Sequence, residues 1–193
     1  MDKLTRDDLL GLEAYATERA AFRARVLEHK KHRKLALGEH VTLLFEDRLT
    51  IQYQVQEMLR IERVFEPQAV QDELDAYNPL IPDGSNLKAT VLIEYPDLEE
   101  RRRELAKLGG IEHRLYAEIE GQGRVFAVAD EDLDRSDAGK TSAVHFVRFE
   151  FGSAQIMALR AGAGLGFGID DDRMRVGAVV SGPTRAALLA DFD

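Results

Sequence analysis

From Leu4 to Lys34 the apolar residues Tyr15, Phe22, Val26 and Leu27 recur at helical spacing. The stretch reads as a helix. Thr5 can cap it, Asp7 and Asp8 suit the positive end of its dipole, and Gly11 can break off a short first turn. The period then changes. Val41, Leu43 and Phe45 alternate with Thr42, Leu44 and Glu46, which predicts a strand after a turn at Gly38. The next segment, "DRLTIQYQVQEMLRIERVFE", fits two periods. Leu49, Ile51, Tyr53 and Val55 alternate, yet Ile51, Val55, Met58 and Leu59 share a helix face. The abundance of Gln, Glu, Met, Leu and Arg selects helix. Pro67 opens another short helix, which stops at Asn78-Pro79.

Beyond residue 80 the pattern turns to strands, expected near 87–95, 113–120, 123–129, 143–151 and 163–169 in addition to 41–46. Gly121 and Gly123 mark a hairpin turn. Short helices are expected after Pro96, after Ser153 and after Ser181, and a polar loop at "EDLDRSDAGK". Strands and helices do not alternate strictly. The expectation is therefore one α+β domain over 1–193, helix-rich to about residue 80 and sheet-rich after it. Its sheet would be mainly antiparallel, with about six strands and flanking helices.

Composition narrows the chemistry. The chain has 193 residues, no cysteine and a net charge of −9. Disulfides, thiolate nucleophiles and Cys-bound clusters are excluded, and no cofactor is expected. The acidic balance argues against a nucleic-acid partner. The N-terminus is too charged for a signal peptide, and no apolar run suits a membrane span, so a cytoplasmic protein is expected. A homo-oligomer is compatible with all of this.

The tempting motifs are weak. In "DAGKTS" a phosphate loop would need glycine at position 134, where Asp134 stands. In "GAGLGFG" the glycines fall at every second residue, which is not a dinucleotide fingerprint. Such a strand has a bare face that an aromatic ring, a helix or a flat ligand can approach. His29 and His32 stand one helical turn apart, with His40 near, but the lysines and Arg33 among them repel a cation. Di-iron proteins need Glu-x-x-His on helices, whereas Glu28 and Glu112 are each followed directly by histidine.

Several phrases, "HVTLLFEDRLTIQYQVQEMLRIERV", "ELDAYNPLIPDG", "TVLIEYPDLEERRRELAKLGGIE" and "VHFVRFEF", resemble one bacterial family, domain of unknown function 3501. The resemblance brings no activity. It implies a link to peroxide defence or electron transfer, through neighbouring genes for rubrerythrin and an iron–sulfur oxidoreductase. In "GIDDDRM" this chain departs from the family, which carries a His-Pro pair after the aspartate.

Two functional expectations follow. One is a non-catalytic accessory protein that docks an acidic redox partner, rubrerythrin-like or an iron–sulfur oxidoreductase as the resemblance implies. Seven Lys or Arg lie between Arg19 and Lys34 against Glu28 alone, and Lys30, Lys31, Arg33 and Lys34 are the docking candidates. The other is an enzyme or metalloprotein whose site is assembled in space from His145, Glu57, Glu94 or Arg148. Each has an ordinary reading beside it. His145 shares the apolar face of its strand with Val147, Phe149 and Phe151, where a partly buried, satisfied imidazole is expected. Glu57 and Arg60, three apart, form a common intrahelical pair.

Overall fold

The structure is a computed structural model and describes residues 1–129, 131 and 140–193. The first helical segment divides as Gly11 suggests. A single 3-10 turn, Arg6–Asp8, is closed by the Asp8 carboxylate, which accepts from the Thr5 amide and hydroxyl. Helix α1 (Leu12–Lys30) follows. Then come β1 (Lys34–Leu37), β2 (Val41–Glu46), α2 (Arg48–Glu62) and α3 (Pro67–Tyr77). The ambiguous segment is helical: Ile51, Val55 and Leu59, about one turn apart, form the buried stripe, while Tyr53 and Glu57, which a strand would place on the same face, are only partly buried. Asp47 fixes its start by accepting from the Thr50 amide at 2.9 Å, while the Thr50 hydroxyl accepts from the Asp47 amide.

The second half contains β3 (Asn86–Ile93), α4 (Leu98–Leu105), β4 (Leu115–Ile119), β5 (Gly123–Phe126) and β6 (Val128–Ala129). It continues with β7 (Val144–Glu150), α5 (Ser153–Arg160), β8 (Leu165–Ile169), β9 (Val176–Val180) and α6 (Gly182–Leu189). The α+β class and antiparallel pairing are as expected, but the strands form two sheets. One has the order β1-β2-β3-β7-β6 and the other β5-β4-β8-β9. The strand expected over 123–129 is split. Its first half pairs with β4 and its last two residues pair with β7, so the chain changes sheet at Ala127. Neither β1 nor β9 was among the expected strands. Most of the polar loop 131–140 lies outside the described residues, as does Asp134.

The two sheets pack face to face. Phe167 of β8 meets Phe45 of β2 at 4.9 Å and Phe149 of β7 at 5.0 Å between ring centroids. Helices α1–α3 form a third layer with their own small core, including Ile51, Val55, Leu59 and Leu74. This layer lies over part of the outer face of the five-stranded sheet, where Glu46 accepts from Thr50 of α2 and Thr90 of β3. No helix among the described residues is long and apolar enough to cross a membrane.

The glycine-rich strand has a simple explanation. A Cβ on Gly168 would come 2.5 Å from the Tyr116 hydroxyl and 2.7 Å from the Val176 carbonyl. The Tyr116 ring lies against β8 at Gly168, and Arg124 in turn stacks on that ring at 4.0 Å. A side chain on the protein takes the place that a flat ligand would need.

Candidate functional site

His145 is fully buried on the inner face of β7. Its Nε2 lies 3.1 Å from the Ser142 carbonyl and 2.7 Å from Thr141 Oγ1. A carbonyl only accepts, so Nε2 carries the proton. Thr141 Oγ1 accepts from it and donates to Glu112 Oε2 at 3.2 Å. A chain of donors therefore runs from imidazole through hydroxyl to a carboxylate that is itself 2 % exposed. The arrangement orders a buried polar group in the sheet core. Among the described residues, no three His, Asp or Glu side chains are placed to hold a metal ion.

The other three site candidates do not join His145. Glu57 ties α1 to α2. Its carboxylate accepts from Arg19 at 2.7 and 2.8 Å, from the Tyr15 hydroxyl at 2.7 Å and from Arg60 at 3.3 Å. The Arg19 guanidinium above all holds its pKa down at about 2, opposed by burial. Glu94 is exposed and accepts from Thr42 Oγ1 at 3.0 Å, beside a stacked His40–Tyr95 pair. Arg148 projects from the opposite face of β7 to His145. It grips both Glu131 oxygens, at 3.0 and 2.9 Å, and also bonds Glu150.

The basic end of α1 needs one correction. Arg33 is 3 % exposed and is not a docking residue. It donates to the carbonyls of Phe45, Glu46 and Ala187 and to the carboxylate of Asp191, so the end of β2 and the C-terminal helix close around it. Burial, opposed by Arg33, raises the Asp191 pKa to about 6. Arg19, bound to Glu57, is also withdrawn from the surface charge. Arg23, Arg25 and Lys34 are exposed and Lys30 half-buried, while Lys31 pairs with Glu28 at 2.5 Å on the surface.

One concavity stands out. A cleft of about 560 Å³ opens between α2–α3 and the part of the five-stranded sheet around Lys88, Phe146 and Arg148. Met58, Tyr77, Leu80 and Phe146 give it apolar walls; Lys88, Arg148, Glu131 and Glu73 supply its charges. Its size lies within the usual range for small-molecule sites, roughly 300–1,000 Å³. Of these residues sequence reasoning singled out only Arg148. The register supplies the missing signal, because Lys88 stands directly opposite Arg148 on adjacent strands. Like charges at such a position repel.

The sequence profile of a protein of unknown function, DUF3501, matches residues 3–192. The chain belongs to this family. A crystal structure of a protein of unknown function from Burkholderia pseudomallei is similar over the full length of both chains, with 51% identity and a TM-score of 0.93. No curated protein matches the chain. The residues of "GIDDDRM" form a salt-bridged turn between β8 and β9. Arg173 there grips Asp171 and donates to the carbonyls of Lys107 and Gly109.

Proposed function

We propose that the protein is a non-catalytic accessory protein of the bacterial cytoplasm that docks an acidic redox partner through the basic end of α1. One observation carries this reading. Arg23, Arg25, Lys30 and Lys34 form no ion pair with any described residue, in a chain of net charge −9. Cations gathered on one end of an acidic molecule create a local field opposite to that of the whole, and such a field steers an acidic surface into place. The redox setting comes from the family's implied neighbours, rubrerythrin and an iron–sulfur oxidoreductase. The dispersal of His145, Glu57, Glu94 and Arg148 into separate bracing contacts favours binding over catalysis.

The test measures binding of purified rubrerythrin-like and iron–sulfur oxidoreductase partners by calorimetry, at low and at raised salt. Binding should weaken with salt. The triple variant Lys30→Glu, Lys31→Glu, Lys34→Glu should fold normally and bind at least about tenfold more weakly. Equal binding by the variant, or no binding by the wild type, would refute the reading.

A further inference from the structure

The cleft beneath α3 carries two charges of opposite sign that form no ion pair with any described residue. The first is Lys88. Arg148, its cross-strand neighbour, is taken up by Glu131 and Glu150. Lys88 spends one N–H on the Pro79 carbonyl and forms no ion pair with a described residue. An ammonium has three donors, so hydrogen-bonding capacity remains. Burial lowers its pKa; the nearby Lys3 and Arg148 cations add to the effect, and Asp83 and Glu131 oppose it. The second is Glu73 on α3, which also lines the cleft and has no cation within ion-pair distance among the described residues. Burial raises its pKa, with Glu62 and Asp72 adding to it. Both groups line one cleft together with apolar side chains, and each is a half-buried charge that a counter-charge would favour.

We infer that this cleft binds a small zwitterion whose carboxylate and ammonium are separated by an apolar spine, the carboxylate at Lys88 and the ammonium at Glu73. Met58, Tyr77 and Phe146 would cover the spine. Charge complementarity selects this ligand over a plain hydrocarbon, which would leave both half-buried charges without a counter-charge, and over a single-headed acid or amine, which would meet only one. An ω-aminoalkanoate and a short apolar peptide share this chemistry. The site is separate from the basic end of α1, so the inference stands or falls independently of the proposed docking.

The experiment titrates the full chain with an ω-aminoalkanoate series, with alkanoates and alkylamines of matching lengths, and with dileucine and trileucine. Heteronuclear NMR would read the binding. One length of zwitterion should bind about tenfold more tightly than either single-headed analogue. Preference for the peptides or for the ω-aminoalkanoates then identifies the source. Lys88→Met should abolish the advantage of the zwitterion over the amine, and Glu73→Gln its advantage over the acid. Lys88 also supports the Pro79 carbonyl, so a second measurement uses the wild type alone: bound zwitterion should protect Lys88 from acetylation, read by mass spectrometry. Absence of zwitterion binding, equal affinity for single-headed analogues, or undiminished acetylation of Lys88 would each overturn the inference.

Discussion

Replacing Arg33 by methionine tests whether this residue belongs to the fold or to the surface. The guanidinium donates at 3.0 Å to Phe45 O, at 3.1 Å to Glu46 O and at 3.3 Å to Ala187 O, and it binds Asp191. It also lies 3.5 Å from Asp47. Methionine fills much of the volume but donates nothing. Three hydrogen bonds to neutral carbonyls at about 1 kcal/mol and one to a carboxylate at about 2 are lost, offset by about 1 for the apolar side chain gained. The net penalty is about 4 kcal/mol, within the usual cost of breaking a buried pair, about 3–5 kcal/mol. The melting temperature should fall by roughly 8–16 °C. The sign of the pH dependence adds a second readout. Asp191 ionises at about 6 in the folded protein against 3.8 ordinarily. The folded state therefore holds this proton more tightly than the unfolded state, and stability from this group falls as pH rises from about 4 to about 6. Without Arg33 the folded pKa climbs further and the window widens upward. The penalty measured by urea denaturation at pH 7 should shrink by about 1–2 kcal/mol at pH 5. Lys34→Met, one residue away and exposed, should change stability by no more than about 0.5 kcal/mol. A penalty for Arg33→Met below about 1 kcal/mol, or one independent of pH, would refute the assignment of Arg33 to the fold.

Two further substitutions probe the sheets. Gly168→Ala places a methyl group against both Tyr116 and the Val176 backbone, and should cost about 1–3 kcal/mol in chemical denaturation; a neutral result would mean that the ring does not lie on this strand. His145→Ala empties a buried position and removes the donor to Thr141, so it should cost about 2–4 kcal/mol, whereas His145→Gln, which keeps an N–H, should cost about 1. Equal stability of His145→Ala and wild type would return His145 to the list of site candidates.

Much of the fold was legible because its signals are local. The stripe of Ile51, Val55 and Leu59, the Pro67 start of α3, and the Gly121 and Gly123 turn, with φ of 75° and 79°, each act within a few residues. Strands β1 and β9 were not legible for a physical reason. Each is a short edge strand, β1 of 4 residues and β9 of 5, and Gly177 and Ala178 in β9 have little strand preference. The division into two sheets depends on where Ala127 crosses, which no periodicity records. Arg33 was misplaced for a related reason. It sits in a run of cations, and its decisive partner, Asp191, is 158 residues away.

The candidate sites show the same dependence on pairing. His145, Glu57, Glu94 and Arg148 attracted attention by residue type, and in the structure each carries hydrogen bonds that brace the fold. A side chain whose capacity is spent internally must break those bonds to engage a ligand, at roughly 1–3 kcal/mol for each charged bond. Lys88, Glu73, Arg23, Arg25, Lys30 and Lys34 have no such ion pairs among the described residues, so a partner or ligand can engage them without that cost. Residue type alone therefore ranks the candidates poorly. Unspent charge ranks them better, and it becomes visible only once register has set Lys88 against Arg148 and the C-terminal helix has closed over Arg33.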